Sequence, residues 1–311
     1  MATTKNLLRF GVNVRRPTFP EILDLAQAAE EAGFDTVTFA DRPPENNLEA
    51  WTVASAVGAR TSRVILAHST LNVPFRNPAL LAKMAASLDA ITGGGRVELM
   101  LGAGAQEAHF RSYGIDFGPP AERFRGLRET VTILRGMWAE PSFTYAGRIY
   151  QAEAAEAPPR PVNGTIPIWI GALGPQMMAY TGRTADGWLK NRGWPASLDE
   201  LRGLVAQLEE GAERAGRDPA RIRRALNGVG LIGDSTEEVE RIRGAPGAQQ
   251  GFSTDGLIGT ADQILETIGT YREAGVDTFH LQFPQGETAA QIQRFGREVL
   301  PRARTPAGAR G

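Results

Sequence analysis

Short apolar runs alternate along the chain with longer segments whose apolar positions recur every three or four residues. Eight of the short runs read as strands: Arg9–Val14, Thr36–Ala40, Val64–Ser69, Arg96–Leu101, Pro167–Gly171, Gly187–Lys190, Arg224–Ile232 and Asp277–Phe283. The segments between them predict helices near 20–32, 46–60, 78–92, 119–138, 174–184, 197–215, 260–274 and 287–299, with a shorter one near 235–243. Strands alternating with helices imply an α/β fold with a parallel sheet. Eight such units in 311 residues predict a (β/α)8 TIM barrel, one domain over 1–311 with frayed ends at 1–8 and 302–311. A doubly wound open sheet is the runner-up. That fold carries a glycine-rich turn after its first strand, and here Val14 is followed by Arg15, Arg16 and Pro17.

Local chemistry marks the helix ends. Thr18 with Glu21, Ser197 with Glu200, Ser235 with Glu238 and Thr260 with Gln263 have capping-box spacing. Gly33 and Gly275 sit where a left-handed helix end needs glycine. Each belongs to an internal echo, EAGFDT at 31–36 and EAGVDT at 273–278, as expected of repeated helix–strand units. Two interruptions stand out. Residues 140–166 read as a hairpin and proline-rich connector before strand five, and 243–256 as a loop insertion after strand seven. Residues 105–118 and 243–256 are the candidate lids.

Composition narrows the function. Glycine is plentiful, 36 of 311, and cysteine is absent, which excludes disulfides, thiolate metal sites and a cysteine nucleophile. With 34 basic against 35 acidic residues there is no surplus to follow a nucleic acid backbone. No apolar run approaches the ~18–20 residues of a membrane span, and the first residues lack a signal-peptide core. The expectation is a cytoplasmic protein with neither nucleic acid nor membrane partners.

A barrel works at the C-terminal ends of its strands. The chain delivers Asn13 after strand one, Asp41 and Arg42 after strand two, and His68, Ser69, Thr70 and Asn72 around the end of strand three. Strand four leads to Gly102, Ala103, Gly104 and Gln106, and strand five to Gly171, Ala172, Leu173 and Gly174. Arg192 and Trp194 follow strand six. The two glycine-rich turns read either as tight strand–helix connections or as cradles for an anionic cofactor. Asp41 and Arg42 read equally as a catalytic acid with a ligand clamp and as a structural ion pair at the rim. Trp51 and Trp194 read as pocket walls, Trp51 equally as core packing. His280 alternates with Phe279 and Leu281, which places it inside the barrel as a structural histidine. No His or carboxylate spacing fits a metal site.

Six segments, AEEAGFDTVTFADR (29–42), ARTSRVILAHSTLNVPFRNPALLAKMAASLD (59–89), GGGRVELMLGAG (93–104), GRIYQ (147–151), PRPVNGTIPIWIGALGP (159–175) and ADGWLKN (185–191), follow one another in a specific order. In that order the chain resembles the luciferase-like flavin-dependent oxidoreductases over roughly Arg9 to Leu300, and most of all the branch that uses coenzyme F420. The resemblance implies a (β/α)8 barrel that binds a flavin or deazaflavin at its C-terminal face. It implies a non-prolyl cis peptide at Ser69–Thr70, a bulge that with Asn72 backs the cofactor ring. It implies cofactor turns at Gly102, Ala103 and Gly104 and at Gly171, Ala172, Leu173 and Gly174. Asp41 and Arg42 would flank the reacting face, with Asn13, Trp51, Gln106, Arg192 and Trp194 around the substrate. Many members of the branch have histidine where this chain has Arg42. Arginine is a poor proton donor and suits an anionic group.

The implied activity is hydride transfer between reduced F420 and a C=C, C=N or C=O bond of a small molecule, in a homodimer, with a separate reductase or dehydrogenase recharging the cofactor. The alternatives are an FMN-dependent two-component monooxygenase and a barrel that binds a flavin without turnover.

Overall fold

Strand β1 (Arg9–Asn13) leads into helix α1 (Phe19–Glu31), β2 (Thr36–Phe39), α2 (Ala50–Gly58), β3 (Ile65–His68) and a two-residue β4 (Leu71–Asn72). Helix α3 (Pro78–Ile91), β5 (Val97–Gly102), α4 (Glu107–Ser112) and α5 (Pro120–Ala139) follow, then β6 (Phe143–Ala146) and β7 (Gln151–Ala155). Next come β8 (Ile168–Ala172), α6 (Pro175–Thr184), β9 (Gly187–Lys190) and α7 (Leu198–Glu213). Strand β10 (Arg223–Ile232), α8 (Thr236–Arg243), β11 (Gly256–Gly259), α9 (Ala261–Glu273), β12 (Thr278–Gln282), α10 (Thr288–Glu298) and α11 (Leu300–Arg304) complete the chain. The computed structural model describes residues 7–42, 45, 48–190, 193–245 and 255–305.

The parallel strands form one sheet in the order β11, β10, β12, β1, β2, β3, β5, β8, β9, with β4 on β5; β10 also pairs with β9, so the order closes. The closed order is that of a (β/α)8 barrel, with β4 and β11 as additions. Strands β2, β5, β8 and β9 are buried along their whole length, as parallel strands covered on both faces must be. The hairpin expected within 140–166 is β6 against β7, antiparallel. Its turn is held by the buried Glu129 of α5, whose carboxylate accepts from the N–H groups of Arg148, Ile149 and Tyr150 at 3.0, 2.9 and 2.8 Å. Among the described residues no helix is long and apolar enough to cross a membrane.

The chain divides into two compact units. The first comprises Met1–Val14, Pro20–Thr38 and Ala172–Gly311. Its core is an aromatic cluster: Phe10 stacks on Phe279 at 5.7 Å, and Phe34, Phe283 and Phe295 pack around them. The sequence echo has a physical cause here. Asp35 and Asp277 each follow a glycine of positive φ, Gly33 at 89° and Gly275 at 96°. The Asp35 N–H donates to the Phe10 carbonyl, and the Phe10 N–H donates back to the Asp35 carboxylate at 2.8 Å. Asp277 makes the same two-way exchange with Arg224. Each aspartate thus pins the start of a neighbouring strand.

The second unit comprises Arg15–Phe19 and Phe39–Gly171. Helices α3 and α5 pack together in it, and the Trp138 indole N–H donates to the Ala82 carbonyl at 3.1 Å.

Four expectations change. The helix placed at 46–60 begins at Ala50, because the Glu49 carboxylate caps it through the N–H groups of Trp51 and Thr52 at 3.0 and 2.7 Å. The lid candidate 105–118 contains α4, a turn of helix anchored by the buried Phe110. The loop insertion at 243–256 ends in β11, which adds a parallel strand to β10; residues 246–254 lie outside the described residues. The tail read as frayed from Arg302 is helical to Arg304. Arg302 pairs with Asp262 at 2.5 Å and Arg304 with Asp35 at 2.6 Å.

Candidate active site

In the second unit, Asp41 follows β2 and is buried, 2% exposed. Its carboxylate accepts two hydrogen bonds from Arg76, Nη1 to Oδ2 at 2.9 Å and Nη2 to Oδ1 at 3.0 Å. The Asn72 N–H adds a third at 2.8 Å, and the Asn72 side-chain amide donates to the Asp41 carbonyl at 2.7 Å. Both oxygens of Asp41 are therefore engaged from within the protein. Arg76 also pairs with Glu49, the cap of α2. One guanidinium thus sits between two carboxylates. Burial opposes the charge of Arg76, but its hydrogen bonds and pairing with Asp41 and Glu49 raise its pKa above the ordinary value. Burial pushes Glu49 up as well, yet the hydrogen bonds from Thr52 and Trp51 and the Arg76 charge bring it down to about 2.

Arg42 does not pair with Asp41. It turns to Glu45 Oε1 at 3.1 Å, while Arg15 takes Glu45 Oε2. This is the reverse arrangement, one carboxylate between two guanidinium groups. Burial lowers the Arg42 pKa; Glu45 opposes the shift and the neighbouring Arg15 charge adds to it.

Trp51 is buried against His68 at the end of β3, the rings parallel within 2° and 5.2 Å apart. Neither ring nitrogen of His68 has a hydrogen bond of ordinary geometry, though the Ala50 amide attracts it weakly. Burial first, then the Arg76 charge, lowers His68 to about 3, so the ring is neutral in the folded protein. The Ser69–Thr70 peptide, the bond singled out by the resemblance, is cis. Thr70 packs on Gly102, where an added Cβ would lie 2.4 Å from its Oγ1. Gly104 has a φ of 90°, and a Cβ there would meet the Phe110 ring at 2.7 Å. Both glycines thus have a packing reason. Ala103 between them is half-buried, and Gln106 is exposed at the start of α4.

In the first unit, Asn13 and Thr38 are register partners on β1 and β2. Asn13 Oδ1 and Thr38 Oγ1 are both buried without a hydrogen-bond partner. Such orphans are rare in folded proteins and call for a cause, an ordered water or a ligand among them. Gly174 is exposed at the N-terminus of the ten-residue α6, makes no side-chain cap, and an added Cβ would meet nothing within 4 Å. Backbone N–H groups at such an end favour an anion. Leu173 is half-buried, and the Ala172 carbonyl accepts from the Trp188 indole at 3.0 Å. Gly171, the last residue of the second unit, is buried within β8.

Trp194 lies against Gly228 of β10 and stacks at 6.1 Å on Phe279 of β12, and its indole N–H donates to the Tyr271 hydroxyl at 2.7 Å. With Tyr271, Asp255 and Arg243 it lines a cavity of about 580 Å³ between α8, β11 and α9. His280 is buried, with Gly11 packed against its ring; burial, then the charges of Arg9 and Arg223, lowers it to about 3. Arg192 lies outside the described residues.

The structure therefore brings Asp41, Asn72 and Trp51 into one network. Sequence reasoning missed Arg76, Glu49, Glu45 and Arg15. Arg76 had a signal: an arginine in the apolar run before the Asn77–Pro78 helix start needs a buried carboxylate. Glu45 and Arg15 had none, since their pairing is long-range.

The description "Luciferase-like monooxygenase" fits residues 3–255 as a family model. An F420-dependent glucose-6-phosphate dehydrogenase of Nakamurella multipartita is 30% identical, with 97% of this chain and 98% of that protein covered. Two solved structures share the fold. The coenzyme F420 dependent tetrahydromethanopterin reductase of Methanopyrus kandleri has a TM-score of 0.78 at 23% identity, covering 96% of this chain and 99% of that one. An F420-dependent secondary alcohol dehydrogenase, in complex with an F420-acetone adduct, has a TM-score of 0.79 at 21% identity, covering 96% and 100%. With the matched segment spanning most of the chain, this protein belongs to the luciferase-like monooxygenase family.

Proposed function

We propose that the protein is an F420-dependent oxidoreductase acting on a small organic substrate. The observation that carries this reading is the full-length similarity to an F420-dependent dehydrogenase. The residues fit the coenzyme. The uncapped N-terminus of α6, with Gly171, Ala172, Leu173 and Gly174, suits a phosphate-bearing tail. The orphaned acceptors of Asn13 and Thr38 suit a ligand with polar edges.

When bound, the deazaflavin supplies two-electron hydride transfer, and the protein supplies position and electrostatics. Ser69, Thr70 and Asn72, with Gly102, Ala103 and Gly104, shape the coenzyme surface of the second unit. Asp41 acts there by position: locked by Arg76 and Asn72, it fixes the chain from which Arg42 extends toward substrate. Trp51 and Gln106 border the substrate in that unit. The working form is a cytoplasmic homodimer, recharged by a separate enzyme that turns the coenzyme over.

The test is a fluorescence titration of the protein's tryptophans with F420 and, separately, with FMN. Saturable quenching by F420 at micromolar concentration supports the reading. Tight FMN binding with no response to F420 refutes it.

A further inference from the structure

Helix α4 is held to the rest of the second unit by one buried side chain. Of its six residues only Phe110 is buried, at 1% exposure, while Glu107, Ala108, Arg111 and Ser112 are exposed. The Phe110 ring lies against two segments that carry the coenzyme surface of that unit. An added Cβ on Gly104, in the turn after β5, would meet the ring at 2.7 Å. Phe75, three residues after Asn72, packs on it at 4.5 Å. Phe117, beyond α4, packs on it at 4.9 Å.

Arg123 of α5 closes this run of rings. Its guanidinium carbon stands 3.8 Å from the centroid of Phe117, and Nη1 donates to the Gly118 carbonyl at 2.7 Å. Among the described residues no carboxylate pairs with Arg123, and its buried Nε has no hydrogen-bond partner. A cation over a ring and a bond to a neutral carbonyl are modest interactions, so Arg123 is a light clasp. Glycines of positive φ flank α4, Gly104 at 90° and Gly114 at 66°. Such positions absorb large backbone changes, which is what a hinge requires. An element with few buried apolar contacts opens at low free energy. Withdrawing one ring frees α4 and takes away the packing against Gly104 and Phe75.

We infer that α4 is a lid beside the coenzyme surface of the second unit, hinged at Gly104 and Gly114, seated by Phe110 and clasped by Arg123 on Phe117. Phe110 and Arg123 are positioning residues that act through the 102–104 turn and the Phe75 segment. The inference rests on the reading that a deazaflavin binds at this surface. Coupling of this kind is reciprocal. A coenzyme that needs the seated turn holds the lid shut, and a lid that fails to seat weakens the coenzyme to the same degree.

Hydrogen exchange of the full chain, with and without F420, reads the lid, and stopped-flow fluorescence reads coenzyme release. In the wild type, saturating F420 should slow exchange over 107–112 by about tenfold. Phe110→Ala should abolish that protection and weaken F420 binding by about tenfold. Arg123→Gln should speed F420 release by about fivefold, with Arg123→Lys, which keeps a cation over the ring, closer to wild type. Arg202→Gln, which removes an equal charge from an exposed pair on α7, should change neither readout. Circular dichroism checks that each variant is folded, and Arg123→Gln, at a half-buried position, decides the matter should Phe110→Ala unfold. F420 bound with exchange over 107–112 unchanged, or released from Arg123→Gln as slowly as from wild type, overturns the inference and leaves the F420 reading intact. FMN bound in place of F420, with the same protection and the same variant effects, sinks the F420 reading and leaves the lid standing. A protein that binds neither overturns both.

Discussion

Asp41 and Arg76 form a two-point ion pair, 2.9 and 3.0 Å, with Asp41 wholly inside the protein. The pair joins the end of β2 to the start of α3 across a gap of 35 residues. Breaking a buried pair by removing one partner leaves an unpaired charge and costs ~3–5 kcal/mol. Arg76→Ala is therefore expected to lose stability on that scale in urea unfolding. Adding Asp41→Asn should recover part of the loss, because the stranded charge is gone. A loss below about 1 kcal/mol for Arg76→Ala would show that water replaces the arginine.

His68 and His280 give the protein an acid-labile stability. Each has an ordinary pKa of 6.5 and is lowered to about 3 in the folded chain, chiefly by burial. Below pH 6.5 the unfolded chain takes up protons that the folded chain refuses. Stability is thus full above that pH and falls as pH drops toward 3, by up to ~1.4 kcal/mol per pH unit for each histidine. Glu49, lowered from 4.5 to about 2, adds to the fall below pH 4.5. Unfolding free energies measured between pH 7 and 5 should show this slope. His68→Phe keeps a ring against Trp51 but cannot titrate, so it should reduce the slope by about half. An unchanged slope would mean that His68 is accessible to protons.

Helices α6 and α7 meet at glycine. A Cβ on Gly182 would lie 2.1 Å from the Leu208 carbonyl oxygen and 2.7 Å from the Ala212 nitrogen. Both are backbone atoms, so no side-chain rotation relieves the clash. Gly182→Ala should cost ~1–3 kcal/mol through forced separation of the helices. Gly203→Ala on α7, where a Cβ would meet nothing within 4 Å, should be neutral or stabilising. Thermal midpoints of the two variants check the contrast.

The fold was legible because its signals are local. Alternating periodicity located all eight barrel strands, and Thr260 with Gln263 forms both halves of its capping box. The EAGFDT echo marked a repeated hydrogen-bond exchange. What escaped was set by distant partners. Arg302 and Arg304 look like a loose basic tail until Asp262 and Asp35 are brought to them. In the site, Asp41 and Arg42 were visible as a dipeptide, but their true partners lie at Arg76 and at Glu45. Adjacent residues in an extended segment point in different directions, so neighbours in sequence are poor guides to pairing.

Thr38 offers a test of the orphaned acceptors. Its hydroxyl is buried and unpaired beside Asn13. Thr38→Val keeps the shape and removes the unsatisfied group, so the ligand-free protein should gain up to ~1 kcal/mol. If the group exists to meet a ligand, coenzyme or substrate affinity falls in the same variant. A gain in stability with unchanged affinity for both would assign the orphan to packing alone.

The central claim is F420-dependent turnover. The direct measurement is anaerobic incubation of the protein with oxidised F420 and a panel of alcohols, glucose 6-phosphate among them, following loss of the oxidised coenzyme's absorbance. Enzyme-dependent reduction of F420 by at least one member of the panel is expected. Inertness toward F420 in both directions, combined with oxygen consumption on addition of reduced FMN, would contradict it.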